Sequence, residues 1–105
     1  GKAEFEKAFP DIQDIEVTVV ETNVPRGMST TRVYGKETLE AVFGCRGYSC
    51  SDGRLDIGRI LDEVYAARKK LHTAQRRCGG SVGLGDCENL FMVTMKINYK
   101  QREGG

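Results

Sequence analysis

The sequence predicts an α+β domain: an antiparallel sheet of three or more strands, one main helix packed on it, and two loops rich in cysteine and glycine. Three observations carry this reading. Residues 14–22 and 91–99 alternate apolar and polar side chains with the period of a strand, and residues 57–71 repeat apolar positions with the period of a helix. The four cysteines fall in two glycine-rich stretches between those elements. A chain of 105 residues is enough for one domain and too short for two that each bury a core. Residues 1–105 are therefore read as a single unit, with 1–11 irregular and 101–105 a disordered tail.

In residues 14–22, Ile15, Val17 and Val19 share one face while Glu16 and Thr18 take the other, the pattern of a half-buried strand. Asn23-Val24-Pro25-Arg26-Gly27 then carries turn chemistry, and the β-branched and aromatic run Thr30–Tyr34 returns, so residues 14–35 form a hairpin. Leu39, Val42 and Phe43 suit either a short helix or an irregular strand. Residues 44–53 read as the first cysteine loop. Ile57, Ile60, Leu61, Val64 and Leu71, with Ala67 small on the same stripe, predict a helix over 54–72. Asp52 or Asp56 would cap its start, and Arg68, Lys69 and Lys70 would face the negative end of its dipole. Residues 74–88 read as the second cysteine loop. Phe91, Val93, Met95, Ile97 and Tyr99 then make the cleanest strand of the chain.

Composition removes most function classes. Sixteen Lys and Arg against fifteen Asp and Glu leave a net charge of +1, so no global field recruits nucleic acid or acidic lipid. No window approaches the roughly 18 apolar residues of a membrane-spanning helix, and Gly1-Lys2-Ala3-Glu4-Phe5 lacks the apolar core of a signal peptide. A cytoplasmic protein is expected, with no membrane partner. The single histidine, His72, excludes HExxH and multi-histidine metal centres. There is no Walker A loop, no GxSxG and no CxxC. Gly79-Gly80-Ser81-Val82-Gly83-Leu84-Gly85 is no phosphate loop, because its glycines miss GxGxxG and a strand follows it.

The chemistry narrows to Cys45, Cys50, Cys78 and Cys87. They form C-x4-C in the first loop and C-x8-C in the second. With residues 54–72 helical, the two loops would leave ends about 28 Å apart. One shared site then requires the chain after the helix to fold back along it, which Thr73–Gly79 can do by spanning about 23 Å. Two local pairs would be the simpler geometry. Three chemistries compete: four thiolates on one zinc ion, two disulfides in an oxidising compartment, or reduced thiols that are packed or redox-active. Glycine flanks favour the first two over plain packing, because aiming backbone N–H groups at sulfur needs a tight loop.

A second candidate site is basic. Arg68, Lys69, Arg76 and Arg77 gather at and beyond the helix end, with Lys70 and His72 among them. Residues 1–44 hold five basic and eight acidic groups, and residues 45–105 hold eleven and seven. Were the helix to continue, Arg68, His72 and Arg76 would stack on one face as a nucleic-acid or partner surface. The competing view, cations on a solvated face beside the helix dipole, is the stronger, since no exposed aromatics interleave.

Cys45-Arg46-Gly47-Tyr48-Ser49-Cys50 leading into a helix, then Cys78-Gly79-Gly80 and Cys87 before a final alternating strand, resembles small bacterial four-cysteine proteins of unknown function. The resemblance covers residues 40–100 and lies in cysteine layout. It implies that the four cysteines act together and favours a cytoplasmic metal site.

A core this small usually needs a metal or covalent supplement. The sequence therefore points to a small non-catalytic binding or scaffold module, stabilised by zinc on Cys45, Cys50, Cys78 and Cys87. Its partner would be a protein, a second copy of the chain or, less favoured, nucleic acid. A thiol-redox protein and a disulfide-linked extracytoplasmic binding domain are the alternatives.

Overall fold

The computed structural model describes residues 1–24, 27–47 and 49–101. In chain order these form α1 (Lys2–Ala8), β1 (Ile12–Thr22), β2 (Ser29–Tyr34), β3 (Val42–Gly44), β4 (Arg54–Asp56), α2 (Ile57–Ala66), β5 (Leu71–Arg77), β6 (Ser81–Val82), β7 (Gly85–Asp86) and β8 (Leu90–Tyr99). The α+β class with an antiparallel sheet is as the sequence predicts.

The main sheet has four strands in the order β2-β1-β8-β5, every pair antiparallel. β1 and β8 are the long central strands, paired from Ile12 opposite Tyr99 to Thr22 opposite Leu90. Their alternation aims Ile15, Val17 and Val19 from β1, and Phe91, Val93, Met95 and Ile97 from β8, at one side. The apolar stripe of α2, formed by Ile57, Ile60, Leu61 and Val64, joins these residues in one buried cluster. Each such side chain stabilises the fold by roughly 1.5–3 kcal/mol through removal from water, so this layer carries the body of the molecule.

Where the structure departs from expectation, the cause is local. Residues 1–11 are not irregular: α1 forms, and Phe5 plugs into the core. The segment between Gly35 and Phe43 forms no helix; the strand reading holds only from Val42, in β3. It turns through Thr38, whose side-chain oxygen accepts from the Gly35 amide, and then enters β3. Asp56, not Asp52, caps α2, its carboxylate accepting from the Arg59 amide at 3.0 Å. Residues 102–105 of the proposed tail and the tip of the first hairpin, Pro25 and Arg26, lie outside the described residues.

The largest correction concerns the end of the helix. α2 stops at Ala66 rather than running to residue 72. Arg68 takes a left-handed backbone (φ 55°), its amide donates to the Tyr65 carbonyl, and the Lys69 amide donates to the Val64 carbonyl. That pair of bonds is the Schellman stop, which usually has glycine where Arg68 stands. The chain then reverses, and Leu71–Arg77 becomes edge strand β5 instead of helix and loop. Leu71, expected on the buried stripe, is 64% exposed. Arg68, His72 and Arg76 therefore do not share a helix face.

Candidate metal centre

β5 solves the problem of joining the two cysteine segments. A strand of seven residues covers about 23 Å, whereas a ten-residue helix is only about 15 Å long. Running back beside β8, β5 delivers Cys78 to the end of the molecule where β3 and β4 hold Cys45 and Cys50. The small hairpin of β6 and β7 adds Cys87, whose amide donates to the Gly80 carbonyl at 3.0 Å.

All four sulfur atoms lie within 4.8 Å of one another. The close pairs are Cys45 with Cys87 at 3.8 Å and Cys50 with Cys78 at 3.7 Å. Both join one segment to the other rather than closing a loop locally. A disulfide would need about 2.05 Å, and all four cysteines are free. A tetrahedron with metal–sulfur bonds of about 2.3 Å has edges of about 3.8 Å. The donor set therefore fits a metal ion.

The two segments present their first cysteines alike. Cys45 directly follows β3 and Cys78 directly follows β5. In each, the amide two residues on donates to the sulfur: Gly47 to Cys45 at 3.2 Å, and Gly80 to Cys78 at 3.4 Å. The cysteine amides are tied in turn, Cys45 to the Gly53 carbonyl and Cys78 to the Asn89 carbonyl, both at 2.9 Å. Ser51 and Ser81 pair across the gap through both amides, at 2.8 and 3.1 Å.

Glycine is required here for space. A β-carbon on Gly53 would stand 2.3 Å from the Cys78 sulfur and 2.6 Å from that of Cys50. One on Gly80 would meet the Cys50 sulfur at 2.6 Å and the Ser51 carbonyl oxygen at 2.5 Å. Neither distance is tolerable, so only glycine lets the backbones close on the sulfurs.

Two buried polar residues support Cys45 from below. Asn89 donates through Nδ2 to the Cys45 sulfur at 3.2 Å and to Glu21 Oε2 at 3.0 Å. The same carboxylate oxygen accepts from the Arg46 amide, and Glu21 Oε1 pairs with the Arg32 guanidinium. Since both the carboxylate and the sulfur are acceptors, the amide must turn its nitrogen to them. Its oxygen is left without a partner among the described residues. Such a donor set suits a thiolate better than a thiol.

The thiols respond accordingly. Burial pushes Cys45 up, yet the Gly47 amide, Asn89 and the neighbouring Cys78 and Cys50 thiols together outweigh it and hold the thiol below its ordinary value. Burial dominates at Cys50 and Cys78, which both stand above theirs. With no metal cation, four clustered thiolates are unfavourable; a divalent cation reverses that balance.

The basic residues divide. Arg68 is bound internally at the far end, paired with Asp11 and lying over the rings of Tyr65 at 4.7 Å and Tyr99 at 5.5 Å. Lys69 stays beside it, its carbonyl accepting from the Tyr99 hydroxyl at 2.7 Å. Arg76 and Arg77 stand at the other end of β5, next to Cys78. There they line a groove of about 410 Å³ with Arg54 and Arg59.

The sequence reading missed Glu21, Asn89, Arg54 and Arg59. Glu21 had a signal: it continues the inward phase of Ile15, Val17 and Val19, where a carboxylate is out of place without a partner. Asn89 had none. No helix among the described residues is long and apolar enough to cross a membrane. Comparison with family models, curated proteins and solved structures finds no match.

Proposed function

We propose that this chain is a small non-catalytic binding module whose cysteine end is held by one zinc ion on Cys45, Cys50, Cys78 and Cys87. The observation that carries the reading is the convergence of four sulfurs within 4.8 Å of one another, with the Cys45–Cys87 and Cys50–Cys78 pairs at 3.8 and 3.7 Å matching a tetrahedron's edge. Four protein ligands fill the coordination of zinc, leaving no position for water or substrate, which is the form of a structural site. Zinc would hold the sulfurs as thiolates, and the Gly47 and Gly80 amides and Asn89 would share their charge. Thiols kept reduced and a structural metal suit the cytoplasm.

The test is native mass spectrometry of the purified chain, paired with thermal melts in the presence and absence of a strong chelator. One zinc per chain, and a melting temperature that falls on chelation, support the reading. A metal-free chain that gains two or four hydrogens on reduction would make it a thiol-redox or disulfide protein instead. Four free thiols with a melt indifferent to chelator would end both.

A further inference from the structure

We infer that the groove between β4, α2 and β5 is a binding site for the phosphodiester backbone of a nucleic acid. This rests on the cysteine cluster as the clamp that joins its two walls. Four arginines line it: Arg54 from β4, Arg59 from α2, and Arg76 and Arg77 from β5. All four are exposed, and none forms an ion pair among the described residues. Arg76 makes one bond, to the Gln75 carbonyl, which leaves most of its donors unspent. Asp56 and Glu63 line the same groove, so its four guanidiniums and two carboxylates leave it net positive by two; neither carboxylate is paired with any of the four arginines among the described residues.

Four guanidiniums against two carboxylates leave the groove with excess positive charge, which a bound anion offsets. Phosphate is the anion their geometry suits, since each planar fork offers parallel N–H donors to two oxygens of a tetrahedral group. At about 410 Å³ the groove exceeds what a lone phosphate ion fills. Its apolar floor is Leu55 and Ile60, with no aromatic ring on which a base could stack. That combination grips the chain of phosphates and does not read bases.

The cluster decides whether the groove exists. Arg54 follows Gly53, whose backbone is pressed against the Cys50 and Cys78 sulfurs, and Arg77 immediately precedes Cys78. Parting the sulfurs would let the β4 wall move from the β5 wall. The helical ridge that the sequence suggested, through Arg68, is replaced by a site that spans three elements.

Fluorescence anisotropy tests this with labelled 20-nucleotide probes of mixed sequence, single-stranded and duplex, on zinc-loaded protein across a salt series. Binding should be sequence-tolerant and fall steeply with salt. The double variants R54A/R59A and R76A/R77A should each weaken it about ten-fold or more and reduce the salt slope by about 1.4 to 1.8. K7A/K100A removes the same charge from exposed sites elsewhere and should stay within about two-fold, as an electrostatic background change would. Absence of binding, or an equal loss in K7A/K100A, overturns the proposal. So does binding of inorganic phosphate alone without either oligonucleotide. Zinc content is read on the same samples. Arginine variants that lose zinc and still bind the probes would mean that these side chains only offset the charge of the thiolates. A zinc-loaded chain that ignores both probes removes the groove and leaves the cluster. A metal-free chain that binds through the four arginines leaves the groove and overturns zinc as the clamp of its walls.

Discussion

The two ends of this molecule are held together by different physics. Around α2 and the inner face of the sheet, Ile57, Ile60, Leu61 and Val64 meet Val17, Val19, Val93 and Met95 in a continuous apolar layer. At the cysteine end, β3, β4, β6 and β7 have only two or three residues each. Phe43 and Leu55 are the only apolar residues buried within those four strands. Glycines, four sulfurs and a buried Glu21–Asn89 pair fill the remaining space. Dispersed burial tolerates single losses, whereas a site of four ligands fails as a unit.

The contrast is broken most strongly by taking away the proposed zinc ion. Chelation, or Cys78→Ser, should melt the cysteine end and cost the zinc site altogether, with the sheet's circular dichroism signal at 25 °C falling far less. Structural zinc contributes on the order of 10 kcal/mol to such sites. A single cooperative collapse of both ends would deny that they are separable.

Glycine substitutions sharpen the comparison. Gly53→Ala should abolish zinc retention, because its β-carbon would fall on the Cys78 and Cys50 sulfurs. Gly58→Ala in α2 should raise stability by about 0.5–1 kcal/mol, since the new methyl meets Ala41 at an ordinary 3.4 Å. Zinc stoichiometry and urea melts read both. Loss of zinc in Gly58→Ala, or its retention in Gly53→Ala, contradicts the assignment.

In the body, Leu61→Ala should cost about 2–5 kcal/mol through the cavity it leaves, visible in urea unfolding, while the metal-to-protein ratio stays unchanged. The smallest effect belongs to Arg68. Arg68→Ala keeps a left-handed residue with a side chain and loses the Asp11 pair and both ring contacts. Arg68→Gly loses the same contacts but relieves the backbone. Arg68→Gly should therefore melt a few degrees above Arg68→Ala; the reverse order would mean that the turn is not under strain.

The same division governs what could be read from the sequence. Strands β1 and β8 and the start of α2 were legible because burial on one side imposes a period on apolar residues. The end of α2 was not. Its stop signal is backbone geometry at Arg68, and the apolar Leu71 extended the helical pattern past the true end. The four cysteines were identifiable by type and by their glycine neighbours, but their convergence depended on a reversal carried by Arg68. Glu21 sits in the inward phase of β1, but its partners Arg32 and Asn89 come from β2 and from the residue before β8, and only the fold places them against it. Arg54 and Arg59 became meaningful only when β5 brought Arg76 and Arg77 across from them.

The central claim is that four sulfurs surround a single ion, and X-ray absorption at the zinc edge of the purified, reduced chain reads that shell directly. The account predicts four sulfur neighbours at about 2.3 Å and no nitrogen or oxygen. A shell with fewer than four sulfurs, or with nitrogen or oxygen ligands completing it, would contradict the account.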